Sequence, residues 1–308
     1  MWCALITTEN LTKKFGDTAA VEGLTLSVED GEVFGFLGPN GAGKTTTVRM
    51  LTCLVSKTSG DATIDGYDIG KSADLQKIRK IIGLLPESVG MYDDLSAYKN
   101  LDYYGRLHEC PENQRRDRIE HFLKLLGLWE KKDVAAGTFS KGMKQKLAIA
   151  RALIHDPKVL FLDEPTANLD PESAKTVRDF ILELKKERRT IFINTHNLDE
   201  AEKVCDRVGV LKTRLVAVGA TKQLLESLWG RRTVILLAKV DDAIVSAVKR
   251  LGPRSITVDG KRIIIDVGDP ADENPRLVEA IVAAGGRIQG VTELLPSLED
   301  VYLRLVRS

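Results

Sequence analysis

The stretch Gly38-Pro39-Asn40-Gly41-Ala42-Gly43-Lys44-Thr45 lies between the short apolar run Val33-Phe34-Gly35-Phe36-Leu37 and a segment of helical pattern over 45–54. The run before it is consistent with a strand buried on both faces. A G-x-x-x-x-G-K-T spacing between a strand and a helix is the context of a phosphate-binding loop. Its glycines let the backbone curl so that successive N–H groups face inward. Those donors, with the positive end of the following helix, hold phosphate oxygens. Lys44 is placed to reach the β- and γ-phosphates, and the Thr45 hydroxyl to ligate Mg²⁺. Gly38, Pro39, Asn40, Gly41, Ala42, Gly43, Lys44, Thr45 and Thr46 form the expected ATP-binding set. The alternative is a glycine-rich turn that binds nothing; strand, loop, Lys and Thr standing in register argue against it.

Further along, Lys158-Val159-Leu160-Phe161-Leu162-Asp163-Glu164 reads as an apolar strand that ends in two acids. Carboxylates at the C-terminal edge of a parallel strand lie where α/β sheets bind ligands. Asp163 suits a Mg²⁺-associated role. Glu164 would orient and deprotonate an attacking water, since phosphoryl transfer needs positioning and charge neutralisation more than covalent help. The alternative is that Asp163-Glu164-Pro165 merely ends a strand.

On either side of these motifs, strands are expected over 4–9, 24–28, 159–162, 190–194 and 207–211, with helices over 171–187 and 198–204. This alternation predicts a largely parallel sheet covered on both faces, an α/β core. Between about 87 and 157 the pattern turns helical, with helices over 95–108, 112–126 and 141–153 and Pro111 as a breaker. After a linker helix over 221–230 comes a small α+β stretch over 231–308. It has a strand over 233–238, a helix over 241–251, a hairpin around Asp259-Gly260, a helix over 274–284, an extended segment over 287–291 and a last helix over 298–306. The order β-α-β-β-α-β suggests a ferredoxin-like module. The expected organisation is therefore a 1–220 nucleotide-binding domain and a 231–308 accessory domain.

The chain is 308 residues long and 43% hydrophobic, enough to bury a core. Its 45 Lys and Arg against 44 acids leave no strongly basic footprint, so nucleic acid is not an expected partner. No run has the 18 or more apolar residues of a membrane span, and the N-terminus lacks the pattern of a signal peptide. Cys3, Cys53, Cys110 and Cys205 are scattered, without metal-ligand spacing. Reduced thiols and a cytoplasmic location are expected. Any membrane work would need spanning helices from another chain.

Phosphate loop and acidic strand occur in many NTPases. Phe139-Ser140-Lys141-Gly142-Met143-Lys144-Gln145, shortly before the acidic strand, narrows the choice. It resembles the signature of ABC ATPases. Ala167-Asn168-Leu169-Asp170 looks like that family's D-loop, and Thr195-His196 like its switch-histidine loop. Phe15 falls where the family stacks an aromatic ring on adenine. All stand in the family's order, and the resemblance covers about 6–219. The closing Pro296-Ser297-Leu298-Glu299-Asp300-Val301-Tyr302 also resembles the tail of drug-exporter-like (ABC-2 type) subunits.

The resemblance implies a P-loop NTPase core with a helical subdomain, hydrolysing ATP with Mg²⁺ as a head-to-tail dimer. Each nucleotide would touch the phosphate loop of one subunit and Ser140 and Gly142 of the other. Ser140 precedes a predicted helix, so its hydroxyl and the helix dipole make an anion site; a simple helix cap is the alternative. His196 would bond the γ-phosphate and hold the Glu164–water arrangement, where a lone His after a strand is otherwise structural. Asp170 would organise the dimer interface. For Phe15 a buried core position is the alternative. The partner implied is an integral membrane permease, met through the helical segment at the inner face of the cell membrane, with export as the expected direction.

Departures matter. The signature has Phe139, Lys141 and Met143 where the family has Leu, Gly and Gln. Glu87 in Leu84-Leu85-Pro86-Glu87 stands where the family usually has a Gln that contacts Mg²⁺ and water. Glutamate keeps an oxygen ligand and adds a charge; a surface glutamate is the alternative. A non-transport ABC ATPase acting on DNA or ribosomes is the competing function. It is disfavoured by the near-neutral charge, by the single motif set and by the fewer than about a hundred residues between Lys44 and Ser140. A binding-only switch is disfavoured by the presence of both Glu164 and His196. The 231–308 module carries no recognisable catalytic set and reads equally as regulator or stabilising appendage.

Overall fold

Three strands are buried at every position: β3 (Val33–Leu37), β7 (Val159–Asp163) and β8 (Thr190–Thr195). Apolar on both faces, they can only be central strands of a covered parallel sheet. The computed structural model describes residues 4–221, 223–224, 231–294 and 297–307. Contacts divide the chain into two units, Met1–Ala220 and Thr221–Ser308.

In the first unit the six-stranded sheet runs β10-β9-β3-β8-β7-β6, with β6 spanning Ile82–Leu85, β9 Arg207–Lys212 and β10 Arg214–Ala220. All neighbours are parallel except β10, which turns back on β9. The N-terminal strands stand outside this largely parallel sheet. β1 (Ala4–Phe15) and β2 (Thr18–Glu29) are twelve-residue strands, and with β4 (Ser59–Ile64) and β5 (Tyr67–Asp68) they form a separate antiparallel sheet, β2-β1-β4-β5. The reason is visible in β2, whose second half alternates buried Leu24, Leu26 and Val28 with more exposed neighbours, as suits a sheet covered on one face. Helix α1 (Lys44–Leu51) starts one residue before the expected 45 and stops before Cys53, whose φ is +57°. Its Val48, Met50 and Leu51 join Phe34, Phe36, Phe161 and Phe192 of the parallel sheet and Ile6, Leu11 and Leu24 of the antiparallel one in a single core. Each such side chain contributes about 1.5–3 kcal/mol of transfer free energy.

The segment between β5 and β7 holds α2 (Ser72–Ile81), β6, α3 (Ala97–Leu107), α4 (Glu112–Leu125) and α5 (Lys141–Leu153). α2 and β6 had no counterpart among the expected elements. α3 starts two residues later than expected because Ser96 caps it, accepting from the Lys99 N–H at 3.2 Å. α6 (Pro171–Lys186) and α7 (Leu198–Val204) follow β7 and β8.

The second unit runs β11 (Arg231–Leu237), α8 (Asp242–Arg250), β12 (Ile256–Asp259), β13 (Arg262–Val267), α9 (Pro270–Ala283), β14 (Ile288–Leu294) and α10 (Leu298–Arg307). The sheet order is β12-β13-β11-β14 and every pair is antiparallel. α9 begins four residues before the expected 274, with Asp269 as cap and Pro270 at its first position. Ile235, Leu237, Ile244, Val248, Ile263, Ile265, Leu277 and Ile281 make this unit's own core. The expected linker helix over 221–230 lies mostly outside the described residues, as does Pro296 of the tail motif. Cys53, Cys110 and Cys205 are in no disulfide, and burial pushes each thiol pKa up. No helix of the described residues is long and apolar enough to cross a membrane.

Candidate functional site

The C-terminal ends of β3, β7 and β8 coincide. Leu37 pairs with Thr195 and Asp163 with Asn194, so the residues that follow these strands, Gly38, Glu164 and His196, emerge at one edge. From β3 the chain passes through 38–43 and enters α1 at Lys44. Gly43 has φ +101°, and a Cβ there would lie 2.2 Å from the Ala20 carbonyl oxygen, so no other residue fits. Lys44 is buried, and its Nζ donates to the carbonyls of Gly38 at 2.8 Å and Pro39 at 3.2 Å. Burial lowers the Lys44 pKa, opposed by the charges of Glu164, Asp163 and Glu87. Residues Asn40, Gly41, Ala42, Gly43, Lys44, Thr45 and Thr46 line a cleft of about 350 Å³. Ala20, Glu87, Glu164 and Asn194 complete its wall.

Asp163 is 3% exposed, and burial raises its carboxyl pKa; hydrogen bonds from Asn194 and Thr45 work against that rise. The Thr45 hydroxyl donates to Asp163 Oδ1 at 3.4 Å, and Asn194 Nδ2 donates to the same oxygen. Asn194 Oδ1 is buried without a hydrogen-bond partner. The Thr45 hydroxyl and the carboxylates of Asp163 and Glu87 are hard oxygen donors, the kind that fits Mg²⁺. Among the described residues no three His, Cys, Asp or Glu form a metal cage. These donors would therefore share an ion with phosphate oxygens and water.

Glu164 has φ +52°, a left-handed conformation that costs a non-glycine residue about 1–2 kcal/mol. Its N–H donates to the Asn194 carbonyl at 2.8 Å. One carboxylate oxygen meets His196 Nδ1 at 2.8 Å, and the other accepts from the Thr195 hydroxyl at 3.3 Å. The Glu164 side chain is 13% exposed and that of His196 61% exposed. The carboxylate is thus fixed in direction at the mouth of the phosphate loop.

Ser140 and Gly142 stand elsewhere. Neither lines the cleft, so the fold does not bring them to the phosphate loop of their own chain. Ser140 is exposed and caps α5, accepting from the Met143 N–H at 3.3 Å. At Gly142 a Cβ would lie 2.3 Å from Ser173 Oγ, which presses α5 against the start of α6. Asp170 caps α6, accepting from the Ser173 N–H at 2.9 Å, and that bond holds its carboxyl pKa below the usual range. Phe15 ends β1 and is 55% exposed, which removes the buried-core alternative; Lys13 Nζ lies 4.9 Å from its ring centroid. Sequence reasoning missed Asn194 and gave no role of their own to Thr195 or to Gln145, whose Nε2 donates to the Pro165 carbonyl at 2.9 Å. The available signal was the polar pair Asn194-Thr195 at the end of the apolar run Ile191-Phe192-Ile193.

The profile of the ABC transporter family matches residues 21–167. The linearmycin resistance ATP-binding protein LnrL of Bacillus subtilis is 31% identical over 308 residues, which cover 98% of each chain. The chain belongs to the ABC transporter family. Another relative, the Nod factor export ATP-binding protein I of a Rhizobium species, is 36% identical over 294 residues, 95% of this chain and 94% of that one. Among solved structures, a dimeric ATP-binding cassette in a post-hydrolysis state with ADP and Pi superposes with a TM-score of 0.64 at 26% identity. It covers 70% of this chain and 98% of its own. This ABC protein is accordingly an ATP-binding, ATP-hydrolysing cassette of P-loop NTPase fold.

Proposed function

We propose that this ABC cassette hydrolyses ATP to drive export through a separate integral membrane permease, at the inner face of the cell membrane. The observation that carries the hydrolytic part is the Glu164 carboxylate held by His196 and Thr195 beside the phosphate loop. Resistance and export proteins among the relatives support the transport part.

The backbone N–H groups of 38–45 and the Lys44 ammonium bind the β- and γ-phosphates. Thr45, Asp163 and Glu87 would hold Mg²⁺, which when bound neutralises phosphate charge. Glu164 takes the proton of the water that attacks the γ-phosphorus as the bond to the β-phosphate oxygen breaks and ADP leaves. His196 keeps Glu164 aligned and bonds the γ-phosphate. Phe15 offers a ring face to adenine. Ser140 is exposed and off its own cleft, so with Gly142 it completes the site of a second copy, and Asp170 organises the contact between copies. The helical segment 87–157 of the 1–220 nucleotide-binding domain faces the permease, and 231–308 is an accessory domain. The even charge balance favours no nucleic-acid partner.

The test is Glu164→Gln beside wild type. The variant is expected to bind ATP, form a stable dimer and hydrolyse at least about a hundredfold more slowly. Wild-type turnover by the variant would remove Glu164 from the mechanism.

A further inference from the structure

The loop that leaves Glu164 is a turn with few hydrogen bonds of its own. Ala167 N–H donates to the Glu164 carbonyl at 3.2 Å and Leu169 N–H to the Thr166 carbonyl at 3.3 Å, while Asn168 has φ +59°. With Glu164 it makes two left-handed non-glycine residues within five, a conformation that persists only when the surroundings over-determine it. Two side chains from outside reach this loop: Gln145 at the Pro165 carbonyl, and Glu200 of α7, whose Oε2 accepts the Thr166 hydroxyl. Glu200 is 8% exposed. Its other oxygen accepts from Arg178 of α6 at 3.3 Å, and its own N–H donates to Asn197 Oδ1 at 3.2 Å. Thr166, Arg178, Glu200 and Thr195 share the wall of a cavity of about 10 Å³, near the size of one water.

None of the trio Thr166, Arg178 and Glu200 has a part in the reaction described above, yet they close a ring around it. Glu164 grips His196; one residue on, Asn197 caps the helix that carries Glu200; Glu200 grips Thr166, two residues from Glu164. We infer that Glu200 is a positioning residue for hydrolysis: through the Thr166 hydroxyl it ties the loop after Glu164 to the helix after His196, so that carboxylate and imidazole keep one geometry. The inference rests on the reading of Glu164 as the base. A carboxylate is suited to the task because it accepts from Thr166 and neutralises half-buried Arg178 at once. An amide keeps the first contact and leaves the second charge uncompensated.

Thr166→Val removes the hydroxyl at nearly constant volume, and Thr166→Ser keeps it. Thr166→Val is expected to lower kcat about tenfold or more while KM for ATP and nucleotide binding hold, since a displacement near 1 Å at the reacting centre costs up to about a hundredfold. Thr166→Ser restores most of the rate. Glu200→Gln gives an intermediate rate, and combining it with Thr166→Val adds little to the Val variant alone, as for two members of one contact. Wild-type kcat in Thr166→Val overturns the inference. So does a loss of kcat that comes with raised KM and is not rescued by Ser. If Glu200→Gln fails to fold, the Val and Ser pair decides alone. Glu164→Gln run alongside separates the two failures: normal turnover there sinks the site reading itself, whereas an inactive Glu164→Gln beside a fully active Thr166→Val sinks only the role of Glu200.

Discussion

Glu87 puts a third carboxylate within electrostatic reach of Lys44 and Asp163, where an amide would be neutral. One charge at several ångströms in a partly wet cleft is worth about 1 kcal/mol. Glu87→Gln is therefore expected to raise the Mg²⁺ concentration for half-maximal hydrolysis about fivefold, read by titrating Mg²⁺ at fixed ATP. An unchanged midpoint would leave Glu87 without a part in ion binding. The same scale shows what a sequence displays. Lys44, Thr45, Asp163 and Glu164 are visible because phosphate chemistry needs those groups after a glycine loop and at a strand end, and His196 through its place in the family's motif order; the structure places Glu164 and His196 2.8 Å apart. Asn194 and Thr195 act only because β8 lies beside β7 in a particular register, a long-range fact no local pattern carries. Glu200 is hidden for the same reason, since its meaning lies in Thr166, 34 positions away.

At the level of elements, the join between α5 and β6 offers a measurable pH effect. Just beyond α5, His155 donates through Nε2 to the Ile82 carbonyl at 2.8 Å, and its ring stacks on His108 at 3.9 Å. Burial first, then the neighbouring His108 and Arg118, lower its pKa from 6.5 to about 4, with Asp156 and the bond to Ile82 pulling the other way. A histidine depressed in the folded state binds its proton more readily once unfolded. Stability is then level above about pH 6.5 and falls as pH drops toward 4, by about 2 kcal/mol at pH 5. Urea midpoints at pH 7 and 5 should differ less in His155→Gln, whose amide can keep the bond to Ile82; equal differences would contradict this account. Elements differed in how legible they were. α5, α6 and α7 are bounded by Ser140, Asp170 and Asn197, caps that sequence displays. α2 escaped because it buries only Ile78, and β6 because four residues are too few to show a period.

For the whole molecule, the two units have separate cores, and the described residues that line the phosphate cleft belong to the first. Ile265→Ala in the second core is expected to remove about 2–5 kcal/mol from that unit while KM for ATP stays put. In calorimetry, saturating ATP should shift the transition of Met1–Ala220 and leave the other where it was, because a ligand stabilises only what binds it. A shift of both transitions would show the units unfolding together. The second unit's order of elements was readable from its turns and periods, since Asp259-Gly260 marks the hairpin. The separate antiparallel sheet was not, because strands β1 and β4 meet across more than forty residues. One feature of the cleft reaches into genetics. Ser140 does not line the cleft of its own chain, so in the head-to-tail dimer proposed above a subunit damaged at Lys44 would still lend its serine to a sound partner, and one damaged at Ser140 would still cradle phosphate. Two such defective alleles, each inactive alone, would restore one working site when expressed together, whereas two copies of the same allele would restore none.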